Sequence, residues 1–166
     1  MANINLKILD QTHLKTLENL WQFYIYSSSD FLDAKLNENG LYNEKDLSGY
    51  FNNPAQKAYI IMLDDEIAGF ALLNQKGILE STDWRLDHFF VMHKFHGKGI
   101  AKAAVHELWK LYKGNWELTV VPTNTKALAF WHKNIEQYTS YKCDYITVDY
   151  DPKIKERWIF TFNNSL

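Results

Sequence analysis

The sequence predicts an α/β (α+β) fold, in which a mixed and mostly antiparallel central sheet of about seven strands is flanked by about four helices. One reason is size, because 166 residues, 46% of them hydrophobic, suffice for one domain with a sizeable core. The other is the order of segments along the chain, in which the two-residue hydrophobic periodicity of strands alternates with the longer periodicity of helices. We therefore expect residues 1–166 to form a single domain.

The first strand and helix are marked by hydrophobic spacing. Residues 3–9 alternate apolar and polar side chains as a half-buried strand does, and Asp10 is placed to cap the following helix. That helix is predicted to run to about Tyr26, because its apolar side chains recur at steps of three and four residues. They are Leu14, Leu17, Leu20, Trp21 and Tyr24.

The segment of residues 27–53 is polar and irregular, and we predict one short helix near Glu44 to Phe51. Loops of this length often carry specificity. Residues 58–63 and 66–74 are apolar runs on either side of Asp64-Asp65, which predicts a hairpin.

The second half of the chain contains one strand-helix-strand crossover followed by a helix and two strands. The crossover should be right-handed, and the antiparallel pairs on either side of it require a mixed sheet. The predicted elements are a strand at 84–92, a helix at 97–113 ended by Gly114, a strand at 116–121, a helix at 124–134, and strands at 138–149 and 155–163.

Composition excludes several classes of function. The 20 acidic and 18 basic residues give a net charge of −2, which argues against binding nucleic acid or anionic lipid. No stretch approaches the roughly twenty apolar residues of a membrane helix, and the N-terminus lacks the features of a signal peptide. Cys143 has no second cysteine with which to form a disulfide or a cysteine-rich zinc site. We expect a soluble, cytoplasmic protein, either a monomer or a homodimer.

The segment FFVMHKFHGKGIAK, from Phe89 to Lys102, combines a strand, a glycine pair and the start of a helix. Backbone N–H groups at the first turn of a helix lack internal partners and carry partial positive charge, so a phosphate fits there. Gly97 and Gly99 remove side chains where a pyrophosphate would touch the backbone, and lysines surround them. The sequence therefore predicts an anion site.

Spacing separates three phosphate-binding motifs at this loop. A P-loop is rejected, because the glycine pair lacks its Gly-Lys-Ser/Thr ending. A Rossmann fingerprint matches both glycines but meets Lys102 at its third glycine, although Glu117 lies at a suitable distance for a ribose-binding acid.

The third motif resembles the GNAT superfamily of N-acetyltransferases, whose pyrophosphate loop reads Gln/Arg-x-x-Gly-x-Gly/Ala after the fourth strand. Gly99 and Ala101 fit this pattern, and His96 stands at the Gln/Arg position. The family's second motif, Asn-x-x-Ala-x-x-Phe/Leu-Tyr, is matched from Asn124 onward, with Trp131 in place of the Tyr. Phe-Phe-Val before the loop, Gly-x-Trp-Glu at the fifth strand and Phe-Trp in the last helix also resemble a bacterial branch of the superfamily.

The resemblance implies acetyl-CoA as cosubstrate, lying in a gap between the strands at 84–92 and 116–121. Pantetheine would pair with the backbone of Phe90 and Val91, and an N–H near Val91 would stabilise charge on the thioester oxygen. The implied cofactor-binding residues are Phe90, Val91, His96, Gly97, Lys98, Gly99, Ile100, Ala101, Lys102, Asn124 and Trp131.

An attacking amine must be neutral, so the resemblance also implies a base or a water chain. Candidate bases are Asp87, His88 and Glu117, and strand alternation lets only one of Asp87 and His88 face the site. His88 is favoured because an imidazole titrates nearer to neutral pH. An ordinary structural role for each of these residues stays open.

Most GNAT enzymes place a Tyr hydroxyl at the position of Trp131 to protonate the departing thiolate. An indole N–H is no acid in this range, so Trp131 would pack against the cofactor, or a Tyr such as Tyr138 would substitute. On the acceptor side, the resemblance implies Tyr24, Tyr26 and Asp30. We predict no metal, since nothing completes a site around His88, His93 and His96.

The expected activity is transfer of an acetyl group from acetyl-CoA to a primary amine of a small molecule or protein, by direct attack. The alternative is a GNAT-fold module that binds acyl-CoA without turnover, because His96 and Trp131 depart from the family's motifs.

Overall fold

The computed structural model describes residues 3–43, 45–140, 145–148 and 157–165, and these contain seven strands and four α-helices. The strands are β1 Ile4–Ile8, β2 Gln56–Leu63, β3 Glu66–Asn74, β4 Trp84–Val91, β5 Asn115–Val120, β6 Tyr145–Val148 and β7 Arg157–Asn163. The helices are α1 Leu14–Ser28, α2 Gly49–Asn52, α3 Ile100–Leu111 and α4 Thr125–Thr139.

The strand order is β1-β2-β3-β4-β5-β7-β6. β4 and β5 are parallel, whereas the pairs β1-β2, β5-β7 and β6-β7 are antiparallel. The predicted α+β class with a mixed, mostly antiparallel sheet is confirmed. Within the described residues, no helix is long and apolar enough to cross a membrane.

Two compact units divide the chain. The first comprises Met1–Leu73 and His88–Ala104, and the second comprises Asn74–Asp87 and Val105–Leu166. That residues 1–166 form one domain stays a prediction.

The core of the first unit forms where the apolar face of α1 meets β2, β3 and β4. Asp10 caps the 3-10 turn Gln11–His13, which leads directly into α1, because its side chain accepts a hydrogen bond from the Thr12 N–H. The N-cap residue of α1 itself is His13, which makes no side-chain cap bond. Leu17 and Trp21 then lie one helical turn apart and are buried with Phe70 and Phe90.

Gly69 lets β3 approach the end of β4 closely. A Cβ atom at Gly69 would lie 1.9 Å from the Phe90 carbonyl oxygen, so any other residue would force the two strands apart. Two residues later, the Met92 N–H donates to the Ala68 carbonyl across 2.7 Å. An isolated glycine inside a strand sequence is the signal for such an approach.

Several predicted boundaries are wrong. The helix expected from residue 97 begins at Ile100, because Gly97 and Gly99 adopt positive φ angles of 73° and 78°. The short helix expected at 44–51 is only Gly49–Asn52. The helix expected at 124–134 continues to Thr139, so the strand predicted from residue 138 starts too early. Residues 141–144, which include Cys143, and 149–156 lie outside the described part of the chain.

Glu117 on β5 holds a loop of the second unit through its fully buried carboxylate. Its oxygens accept hydrogen bonds from the Ile78 N–H at 2.9 Å, the Leu79 N–H at 3.0 Å and the Thr82 hydroxyl at 2.7 Å. The Arg85 Nε atom lies 3.6 Å away and supplies positive charge. Both oxygens are therefore occupied as acceptors, which supports a structural role for Glu117.

Glu117→Gln should lower the free energy of unfolding by about 3 kcal/mol, because an amide NH₂ would face backbone N–H donors and the charge beside Arg85 would be lost. Urea unfolding followed by circular dichroism measures this change. The matched control is Glu107→Gln, which removes an exposed pair with Lys110 and should change stability by at most about 0.5 kcal/mol. Equal stability of Glu117→Gln and the wild type would contradict the structural role.

Candidate functional site

The glycine loop that follows β4 in the first unit has the geometry of an anion cradle. Cβ atoms built at Gly97 and Gly99 would meet nothing within 4 Å, so both backbone positions are open to an approaching group. α3 begins immediately afterwards at Ile100, where the first N–H groups have no intrahelical acceptor and the helix dipole is positive. Ile100 is buried beside Val91 and Phe95, which anchors the start of the helix.

His96 ties this loop back to the end of β4. Its Nε2 atom donates to the Val91 carbonyl oxygen across 2.8 Å, and its ring stacks on His93 with centroids 4.6 Å apart. The imidazole predicted at the Gln/Arg position is thus a donor to the chain itself, and it fixes the distance between the strand and the glycines.

The backbone N–H of Val91 points away from β3. Successive residues of a strand direct their N–H groups to opposite edges, and the N–H of the next residue, Met92, bonds to Ala68 of β3. The carbonyl of Phe90 also faces β3, at Gly69. The register of β4 with β5 ends at Leu86 and Leu118, before this point.

Several lysines surround the loop. Lys94 pairs with Glu66, and its ammonium also lies 5.0 Å from the Phe95 ring. Lys98 and Lys102 are exposed, one between the two glycines and the other in the first turn of α3. The structure therefore gives the anion cradle positive charge from both sides of its turn.

His88 on β4 lies at the centre of a polar and aromatic cluster, and we call His88, Trp21, Tyr24 and Lys45 the His88 cluster. The Nδ1 atom of His88 is 3.2 Å from the Tyr24 hydroxyl, and its Nε2 atom is 2.8 Å from the Lys45 Nζ atom. The Trp21 ring meets the imidazole edge-on at 4.7 Å and lies 5.1 Å from the Lys45 ammonium.

With Lys45 as an ammonium, these contacts match one tautomer of the imidazole. An ammonium only donates, so Nε2 accepts from Lys45, and Nδ1 carries the hydrogen that is donated to the Tyr24 oxygen. In this tautomer the acceptor nitrogen of His88 faces a primary amine. The predicted residues His88 and Tyr24 are brought together, while sequence reasoning missed Lys45.

The other predicted acceptor-side residues lie apart from these contacts. Tyr26 is two positions beyond Tyr24, roughly 200° around the helix, and it is 70% exposed. Asp30 is exposed beyond the end of α1. Neither Tyr26 nor Asp30 is placed against His88 by the described hydrogen bonds and ring contacts.

In the second unit, Asp87 forms an ion pair with the Arg85 Nε atom at 3.2 Å, and both side chains are largely buried. Glu117 is occupied by its loop, as described above. Of the three candidate bases, His88 alone has an acceptor atom shown in contact with an amine.

The second motif of the sequence lies at the start of α4. The Asn124 side-chain oxygen accepts from the Ala127 N–H at 3.0 Å and caps the helix. Trp131 is 8% exposed and packs edge-to-face on Phe130. Tyr138 lies two turns further, about 10 Å along the axis, with its ring on His106 and Trp109.

Metal-binding side chains do not gather within the described residues, where no three of His, Cys, Asp and Glu lie close enough to hold an ion. His93 and His96 stack on each other, whereas His88 contacts α1.

The fold has many solved counterparts at low sequence identity. An acetyltransferase from Thermus thermophilus shares 16% identity over 98% of this chain and 99% of its own, with a TM-score of 0.70. A ribosomal alpha-N-protein acetyltransferase, RimL, solved with coenzyme A, shares 13% over 100% and 97%, with a TM-score of 0.65. NAA60 of Arabidopsis thaliana, solved with acetyl-CoA, shares 14% over 97% and 98%, with a TM-score of 0.60.

No curated protein sequence matches the chain. The model of the acetyltransferase (GNAT) family matches residues 15–135, which span both the glycine loop and the Asn124 motif. The chain therefore belongs to the GNAT acetyltransferase family.

Proposed function

We propose that the protein is an acetyl-CoA-dependent N-acetyltransferase that acetylates a primary amine of a small molecule or protein. The observation that carries this proposal is the open glycine pair at the start of α3, whose first glycine lies six residues beyond a backbone N–H that points away from β3. Family membership supports acetyl transfer as the reaction. Bound at the loop, acetyl-CoA would supply the thioester.

The loop would hold the pyrophosphate. The N–H groups around Gly99, Ile100 and Ala101 would donate to its oxygens at the positive end of α3, and Lys98 and Lys102 would add charge. The Val91 N–H would donate to the thioester oxygen as negative charge develops there. That the side-chain amide of Asn124 and the ring of Trp131 bind the cofactor stays a prediction from the sequence.

His88 would remove the proton from the acceptor amine. Its Nε2 atom already accepts a hydrogen bond from an amine in this structure, and Tyr24 holds the ring through Nδ1. When Nε2 takes up a proton, the resulting imidazolium keeps its bond to the Tyr24 oxygen, so no rearrangement is needed. Asp87 is held by Arg85 and Glu117 by its loop, which favours His88 as the base.

Gly99→Glu should abolish acetyl-CoA binding, because it places a side chain and a negative charge where the pyrophosphate would contact the backbone. Isothermal titration calorimetry on the folded variant measures the affinity.

The matched control is Gly40→Glu. Gly40 has a φ angle of 73° and an equally open Cβ position, so this variant carries the same backbone strain and charge at a distant turn. It should bind acetyl-CoA as the wild type does. Unchanged affinity of Gly99→Glu would refute the assigned loop.

His88→Ala should lower turnover by about a hundredfold or more and leave acetyl-CoA affinity nearly intact, because general-base catalysis acts in the transition state. The loss should shrink between about pH 6 and 9, since the acceptor amine increasingly deprotonates by itself. Thiol release across an amine panel measures the rate.

His13→Ala, at the half-buried N-cap of α1, is the control and should retain turnover. Equal rates of His88→Ala and the wild type at every pH would remove His88 from the mechanism. Acetyl-CoA binding without thiol release on any amine would favour the alternative module that binds acyl-CoA and does not turn over.

A further inference from the structure

Lys45 places a primary amine of the chain itself at the proposed base. Its Nζ atom lies 2.8 Å from Nε2 of His88, which is hydrogen-bond distance for proton transfer. An acceptor amine that is to be deprotonated by His88 must make this same contact. Lys45 thus occupies, within the first unit, the position that the proposed mechanism gives to the substrate amine.

The segment that carries Lys45 is anchored to the core. Leu47, two residues later, is 1% exposed and packs in the cluster that contains Trp21, Phe70 and Phe90. Between them, the Asp46 side chain accepts from the Ser48 N–H at 2.9 Å and closes a turn. The Lys45 side chain is therefore tethered next to His88.

The Trp21 ring adds a second contact, because the Lys45 ammonium lies 5.1 Å from its centroid. Lys45 is exposed, and the ring gives its ammonium a second contact beside the imidazole, whose edge meets the same ring. The orientation of the amine relative to the base is thus fixed from two sides.

We propose that the enzyme acetylates its own Lys45 side chain, in cis, from bound acetyl-CoA. This inference rests on the proposed function, since it uses the same loop and the same base. It assigns a modification site and identifies the first acceptor amine of the protein as one of its own.

The reaction balances without any further reagent. The Lys45 ammonium gives one proton to Nε2 of His88, and the neutral nitrogen forms a bond to the thioester carbonyl carbon. The carbon-sulfur bond breaks, and its electron pair leaves with the sulfur. As that bond breaks, the nitrogen loses its second proton, which the thiolate takes up, and His88 releases the first proton to solvent. The products are Nε-acetyl-Lys45, coenzyme A as the thiol, and one proton.

Four other lysines among the described residues contact a carboxylate and are shown in no contact with an imidazole. Lys94 is paired with Glu66, and the Glu107 carboxylate raises the pKa of Lys110, which keeps that amine protonated. Lys15 and Lys35 are exposed and lie near carboxylates. A positioned amine gains rate from proximity as well as from the base, so Lys45 should be modified selectively.

Incubation of the full chain with acetyl-CoA, followed by peptide mass spectrometry, tests the proposal. Lys45 should gain an acetyl group at least about a hundredfold faster than Lys15 or Lys35. The modified fraction should grow at the same rate when the protein is diluted, because the reaction is intramolecular. In His88→Ala and His88→Gln, Lys45 should be acetylated no faster than Lys15 or Lys35. In Lys45→Arg, no other lysine should show the fast acetylation.

Calorimetry and the amine panel separate the possible failures. If acetyl-CoA binds and an added amine is acetylated while Lys45 gains no excess, the self-acetylation is overturned and the proposed function stands. If acetyl-CoA does not bind, the proposed function fails and this inference fails with it. If Lys45 is acetylated only in proportion to protein concentration, the reaction occurs between copies and the in cis proposal is wrong.

A measurement without acetyl-CoA tests the contact that underlies the proposal. Trace labelling with acetic anhydride reports the nucleophilicity of each lysine in the folded chain. Lys45 should label faster than Lys15 and Lys35, and the difference should vanish in His88→Gln, which keeps a hydrogen-bonding side chain but has no base. Equal labelling of the three lysines in the wild type would overturn the claim that His88 activates Lys45.

Discussion

The contact between the Phe90 carbonyl and the backbone at Gly69 is the constraint on which the site of the first unit depends. It brings β3 so close to β4 that the end of β4 has one fixed register, which the bond from Met92 to Ala68 continues. This register sets the direction of the backbone groups at the end of β4. The N–H of Val91 points to the strand edge opposite β3, and the glycine loop begins at a fixed position.

The same register decides which side chains of β4 face α1. Alternation places His88 and Phe90 on one face, where Phe90 is buried with Trp21, and it places Phe89 and Val91 on the other, against the start of α3. The polar contacts of His88 and the cradle of α3 therefore lie on opposite faces of one strand. A shift by one residue would exchange them.

Features that depend on neighbouring residues could be predicted from the sequence. The spacing of Leu17 and Trp21 marks α1, Asp10 marks its beginning, and Gly97 and Gly99 mark the loop before α3. The start of α3 after this loop could also have been predicted from the two glycines, because both take positive φ angles that a helix does not use. The C-terminal end of α4 was missed because Ser140, with a φ angle of 60°, ends it where a glycine is the usual signal.

Contacts between distant parts of the chain could not be predicted. Lys45 and His88 are 43 positions apart, and Lys45 lies in a polar segment whose hydrophobic pattern gives no direction for its side chain. Glu117 is similar: its type and strand position suggest a base, but the N–H groups that fill its oxygens come from residues 38 and 39 positions away. A carboxylate can accept hydrogen bonds from backbone N–H groups, or it can take up a proton. Residue type alone therefore does not distinguish a structural role from the role of a catalytic base.

The groups proposed for the acceptor and those proposed for the cofactor lie in different segments of the chain, which decides what substitutions in each segment would change. The groups proposed to receive an amine come from α1 and the segment around Lys45, together with the single side chain of His88, whereas the anion cradle is confined to the residues after Val91. On the proposed function, substitutions between Trp21 and Lys45 would alter which amine is accepted without changing Gly97, Gly99 or the first turn of α3. On that proposal, acceptor choice could change separately, by exchange of this one segment while the glycine loop and α3 are kept.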